Sequence, residues 1–202
     1  MCAVAQTATP RFIRTKCMST SKFTENDVGH IKGLQAADHM AGSAHAKLLL
    51  LEYGDYECPS CVEAEPATRH LIEVFGNRLK FVFRHFPLVE VHPHAELAAE
   101  AAEAAAAQDK FWPMHHLLFT HSQNLTSSAL DHYAETIGLD MRRFKAEMAD
   151  RIYTQLIQEH RRSGELIGLR GSPTFFLNGE VLDVSFGLEH LELAVRAALG
   201  EP

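Results

Sequence analysis

The chain has 202 residues, 46% of them hydrophobic, which is enough for one domain with a full core and an inserted subdomain. A formal net charge of -7 and a pI near 6.0 favour solubility and argue against a nucleic-acid-binding surface, and no apolar run is long enough to span a membrane. Four cysteines are too few for a disulfide scaffold, and 13 histidines make the charge sensitive to mildly acidic pH.

Residues 1–33 are polar and rich in Ser, Thr and Ala, as expected of a flexible tail. Met1-Cys2-Ala3-Val4-Ala5 is too short for the apolar core of a secretory signal and lacks a basic start, so a cytoplasmic protein is expected. Arg11, Arg14 and Lys16 with no acidic residue before Glu25 give residues 1–24 some likeness to an organellar transit peptide, and Met18 is an alternative start of translation. On either reading Cys2 and Cys17 are incidental thiols.

Residues 34–47 read as a loop or helical turn leading into Leu48-Leu49-Leu50-Leu51-Glu52-Tyr53, an apolar run typical of a strand buried on both faces. Gly54-Asp55-Tyr56-Glu57 breaks the run. Val62, Leu71, Ile72, Val74 and Phe75 then recur at helical spacing up to Gly76-Asn77, with Pro59 where a first helical turn tolerates it. Cys58 is thereby placed at a helix N-terminus, with Cys61 one turn on and on the same face, a spacing that permits a disulfide.

That position makes Cys58 a nucleophile. A thiol with a pKa of ~8.5 is only ~3% thiolate at neutral pH, and lowering it to ~6 takes ~3.4 kcal/mol. The helix dipole contributes at most ~2 kcal/mol, so first-turn N–H groups bonding the sulfur must supply the rest. Asp55 and Glu57 oppose the shift if their carboxylates lie near the sulfur. The expectation is a moderately lowered pKa for Cys58, with Cys61 as the resolving thiol. The alternative use of Cys58-Pro59-Ser60-Cys61, half of a zinc site, needs two more ligands, and Cys2 and Cys17 are not paired at a suitable spacing.

Leu79 to Phe86 has strand composition and should lie parallel to the first strand, completing a β-α-β unit. Helices are expected from Pro93 through the Ala/Glu run to Ala107, from Lys110 to Phe119, from Ser127 to Ile137 with Ser127 or Ser128 near the cap, and from Met141 to His160 and beyond. Phe111, Trp112 and Phe119 read as core of this block. His85, His92, His94, His115, His116 and His121 give no convergent ligand set, so packing or surface roles are expected and no metal. Thr174 to Leu177, Asn178-Gly179 and Glu180 to Val184 form a hairpin signal, followed by a closing helix from Leu188 to Leu199.

Strand, C-x-x-C helix, strand, helices, hairpin and helix is the plan of a thioredoxin-like α/β fold: a mixed central sheet with an inserted helical subdomain. Over residues 34–199 the chain resembles the DsbA-like thiol-disulfide oxidoreductases, through Glu52 to Cys61, Phe83-Arg84-His85-Phe86-Pro87-Leu88, His92-Pro93-His94-Ala95 and Gly171-Ser172-Pro173-Thr174-Phe175-Phe176. The resemblance implies one domain over residues 34–202 with its insertion at about 92–167. It also implies that Cys58 and Cys61 are catalytic, with Pro59, Ser60 and Glu52 in support. Pro173 would be the family's cis-proline, with the Ser172 backbone pairing an extended substrate. Spacing alone fits an ordinary trans turn proline equally well. Glu52 matches a buried acid that some members keep beneath the disulfide to pass protons to or from Cys61.

The expected function is disulfide exchange with protein thiols and disulfides, needing no metal or organic cofactor. The sequence leaves open whether the chain works as reductase, isomerase or oxidase, and whether its recycling partner is thiol-based or quinone-linked. A homodimer surface on the insertion is compatible with its apolar faces. The alternatives are a peptide-binding, chaperone-like module using the groove beside Pro173, a metal-binding protein using the C-x-x-C, and a glutathione-transferase-like isomerase.

Overall fold

The computed structural model describes residues 34–35, 37–184 and 187–201; the expected tail, Cys2 and Cys17 lie outside the described residues. A mixed five-stranded sheet runs in the order β1-β3-β2-β4-β5. β2 (Leu48–Gly54) and β3 (Leu79–His85) are parallel over their whole length, Leu48 opposite Leu79 and Gly54 opposite His85, joined by α1 (Pro59–Phe75). β4 (Thr174–Leu177) pairs antiparallel with β2, and β5 (Glu180–Leu182) with β4. At the hairpin, Asn178 and Gly179 have φ of 50° and 92°, the positive pair a two-residue turn needs. The second hairpin strand stops at Leu182, two residues before the expected end.

Alternation along the strands builds two cores. Leu48, Leu50, Phe81, Phe83 and Phe175 face the large one, shared with Cys61, Leu71 and Phe75 of α1, with Leu191 and Val195 of the closing helix, and with the insertion. Leu51, Tyr53, Val82 and Phe176 face a smaller one with Phe86 and Leu169. Glu52 shares the parity of Leu48 and Leu50, so it is buried on the α1 side.

Between β3 and β4 lie α2 (Ala95–Ala106), α3 (Phe111–Thr120), α4 (Ser127–Thr136), α5 (Met141–Asp150) and α6 (Thr154–Leu166), and α7 (Glu189–Ala198) follows the hairpin. Phe111 and Phe119 are buried, and Trp112 packs on Phe81, as expected of core. The residue that caps α4 is Thr126, whose Oγ1 accepts from the Ala129 N–H, and not Ser127 or Ser128. The long helix expected from Met141 is two helices. Arg151 adopts a left-handed φ of 51°, and its guanidinium bonds Glu96 and Glu100 of α2, so both halves can pack on α2.

The segment expected to be a loop or turn contains β1 (His39–Gly42), antiparallel to β3. Its composition hid it, because what holds it is tertiary. Asp38 beside it accepts from Arg84 Nε and Nη2 at 2.7 and 2.8 Å in a nearly buried pair, while Arg84 Nη1 donates to the Tyr53 hydroxyl at 3.1 Å. His39 donates from Nε2 to Glu103 of α2 at 2.8 Å, and His85 does the same to the same oxygen at 2.7 Å. Trp112 of α3 donates its indole N–H to the Met40 carbonyl at 3.2 Å.

Candidate redox site

The thiols sit where β2 gives way to α1. Cys58 is the N-cap, in extended conformation with φ -75° and ψ 122°, and Pro59 opens the helix without losing a needed N–H. The Asp55-to-Cys58 turn is closed by the Cys58 N–H on the Asp55 carbonyl at 3.2 Å. Both cysteines are free thiols. Cys58 keeps 7% of its surface and Cys61 none, so an outside disulfide meets Cys58 first.

Their chemistry is asymmetric. Cys58 is lowered to about 5, first by a hydrogen bond from the Cys61 thiol, against the opposing effect of burial, and then by the backbone N–H groups of Cys61 and Ser60. These are the free first-turn donors of a helix start. Cys61 goes the other way, held well above its ordinary value by burial first and by its bond to Cys58 second. Asp55 N–H reaches the Cys61 sulfur at 3.4 Å. The Ser172 hydroxyl is buried, bonded to no other described group, and favours the charged form of both sulfurs. Its carbonyl lies 3.4 Å from the Cys58 sulfur, and the Ser172–Pro173 peptide bond is cis.

Glu52 lies beneath this pair. Burial, then the nearby charge of Glu65 and the Cys58 sulfur, push its carboxyl up to about 8, so it is mostly protonated at neutral pH. Gly54 makes room for it: a Cβ there would stand 2.4 Å from the Phe83 ring and 3.0 Å from Glu52 Oε1. Ser60 and Glu63 on one side and Ser172, Pro173 and Val181 on the other border a groove of about 770 Å³ beside the thiols.

Asp55 and Glu57, expected to oppose the thiolate if near it, turn their carboxylates to partners other than the thiols. Both are engaged by the segment after β3. Buried Asp55 accepts from the Leu88 N–H and from His92 Nδ1, each at 2.8 Å, and Glu57 accepts from the His94 N–H at 2.7 Å and from His94 Nδ1 at 3.0 Å. These partnerships went unread in the sequence because each joins residues 33 to 37 apart. Of the other histidines, His85 and His115 are buried, the latter paired with the Tyr56 hydroxyl at 3.0 Å and held well below its ordinary pKa by burial. Among the described residues no group of three or more His, Cys, Asp or Glu is placed to hold a metal ion. No helix of the described residues is long and apolar enough to cross a membrane.

The chain is similar to known proteins. A thioredoxin family profile matches residues 35–197. A protein named Na(+)/H(+) antiporter NhaA 1 from Salinispora arenicola is 45% identical over 161 residues, which cover 80% of this chain and 24% of that protein. One named NhaA from Herminiimonas arsenicoxydans is 35% identical over 161 residues, 80% of this chain and 25% of that protein. The chain thus spans about a quarter of the length of these curated relatives. Among solved structures, a thioredoxin-like oxidoreductase from Silicibacter pomeroyi superposes with a TM-score of 0.72 at 23% identity, over 83% of this chain and 95% of that one. The thiol-disulfide exchange protein alpha-DsbA2 from Wolbachia pipientis gives 0.71 at 21% identity, over 81% and 88%. BdbD from Bacillus subtilis gives 0.70 at 21%, over 80% and 92%. With two free thiols at the head of α1, this sheet order and the family match over residues 35–197, the chain belongs to the thioredoxin family and carries the DsbA-like form of its fold.

Proposed function

We propose that the chain is a thiol-disulfide oxidoreductase acting on protein thiols and disulfides. The observation that carries the reading is the split between the two sulfurs: Cys58, slightly exposed, is held as thiolate, while buried Cys61 keeps its proton. In reduction, the Cys58 thiolate attacks one sulfur of a substrate disulfide and expels the other as thiolate. Cys61 then loses its proton and attacks the Cys58 sulfur, releasing the second substrate thiolate and leaving the Cys58–Cys61 disulfide. Oxidation of a substrate dithiol is the same path reversed. Both directions run on the two thiols, without metal or organic cofactor. The groove beside Ser172 and Pro173 would hold the substrate backbone, with Pro59 and Ser60 shaping the helix head.

Direction follows from the potential. A Cys58 value of about 5 lies between ~7 for thioredoxin and ~3.5 for DsbA, so the couple should sit between about -270 and -120 mV. Equilibration against glutathione buffers, read by thiol trapping, measures it. Failure to form the Cys58–Cys61 disulfide would overturn the reading, and a value below about -300 mV would make the pair structural. A cytoplasmic glutathione pool would keep much of such a pair reduced, and the chain would then work as reductase or isomerase.

Glu52 would take the Cys61 proton. Its carboxylate form grows as pH rises through about 8, so resolution by Cys61 should accelerate over that range. Glu52→Gln should flatten this limb and slow resolution about tenfold or more at pH 8, measured by single-turnover release of the mixed disulfide. A rate profile identical to the native one would remove the proton role.

A further inference from the structure

We infer that His92 and His94 are positioning residues for the redox site: they take up the carboxylates of Asp55 and Glu57 and keep two negative charges from acting on the Cys58 sulfur. The inference rests on the oxidoreductase reading only for its consequence, since the contacts belong to the reduced chain itself.

The redox loop has an awkward sequence for its task. Asp55, Glu57 and Cys58 lie within four consecutive residues, so an anionic sulfur must form beside two carboxylates. Asp55 is tied to both sulfurs' surroundings by its backbone, through its carbonyl on the Cys58 N–H and its N–H on the Cys61 sulfur. Only side-chain direction can separate the charges, and the segment 88–94 fixes it. Asp55 has no exposed side-chain surface, yet three donors converge on it: the Leu88 N–H, the Glu57 N–H and the His92 ring. Glu57 is held from two sides by a single residue, His94, through backbone and ring. A carboxylate only accepts, so both rings carry their proton on Nδ1. The two pairs sit on alternate residues of each segment, like two clasps two residues apart.

Strong donors to an ionised carboxylate localise its charge on their side and weaken its repulsion of a neighbouring anion. Removing both rings should therefore raise the proton affinity of the Cys58 sulfur about tenfold. The same change should shift the thiol-disulfide equilibrium with glutathione about tenfold towards the disulfide, because the reduced form loses the stabilised thiolate.

The experiment is a thiolate-absorbance titration of the reduced full chain, with the glutathione equilibrium measured alongside. His92→Ala with His94→Ala should show the tenfold shift in both. Adding Asp55→Asn and Glu57→Gln to that variant should restore the native titration within about twofold, since the repelling charges are then gone. His92→Asn with His94→Asn, which keeps a donor near the Nδ1 position, should stay close to native. The inference is overturned if the alanine pair titrates like the native chain, or if its shift survives the two carboxamides, which would mean a displaced backbone and not charge. Should the double alanine variant not fold, His94→Ala alone, on the half-exposed pair, carries the same comparison with Glu57→Gln. A native chain that forms no Cys58–Cys61 disulfide would defeat the oxidoreductase reading while leaving the titration of Cys58 to judge the latch.

Discussion

Cys58→Ser should abolish disulfide exchange, with a loss of about a thousandfold or more in reduction of a protein disulfide. The size follows from the asymmetry of the pair. At a pKa of about 5 roughly 99% of Cys58 is thiolate at neutral pH, whereas Cys61 is fully buried and held protonated, so it cannot substitute as the attacking group. A serine hydroxyl is no nucleophile under these conditions. Cys61→Ser should behave differently. Attack by Cys58 persists, resolution does not, and mixed disulfides with substrate proteins accumulate. Mass spectrometry of the trapped adducts would identify the substrates, and rapid turnover by Cys61→Ser, with no adduct, would contradict the assigned order of attack.

Glu103→Ala should cost about 3 kcal/mol of stability, read as a lowered denaturation midpoint. Burial alone would raise the Glu103 carboxyl, but hydrogen bonds from His39 and His85 outweigh it and hold the group at about 2. Against an ordinary value near 4.5, that depression is worth about 3 kcal/mol. The sign is fixed by its direction. A carboxyl lowered on folding stabilises fully above its unfolded pKa, and the contribution disappears as pH falls through the folded one. The difference between native chain and Glu103→Gln should therefore be greatest above pH 5 and shrink towards pH 2. Alanine should be worse than Gln at neutral pH, because it also leaves the His39 and His85 N–H groups facing a gap, with His85 almost wholly buried. A pH-independent difference for Gln would show that the charge is not what the two histidines hold.

Much of the fold was legible because it is written locally. The apolar run of β2, Pro59 at the helix start and Asn178-Gly179 between two strand-like runs each state their conformation within a few residues. The C-x-x-C pair was legible for the same reason, as two thiols one helical turn apart. What stayed hidden is held across the chain. β1 has no β-branched residue and exists through His39, Asp38 and their partners on β3 and α2. The break at Arg151 is invisible in helix propensity, since Arg is a good helix former, and follows from two glutamates on α2. Asp55 and Glu57 read as liabilities for the thiolate because their histidine partners lie more than thirty residues away.

On the proposed oxidoreductase reading unfolded chains would come to the surface of this protein, and the ends of its sheet then matter. Its outermost strands are β1, four residues long, and β5, three residues long. An outward carbonyl of β1, at Met40, is already taken by the Trp112 indole. Segments this brief offer an incoming polypeptide few main-chain partners, far short of what templated strand addition and aggregation require. On that reading a client would be gripped at Cys58 by one covalent bond and let go again, without its exposed segments growing onto the sheet that holds it.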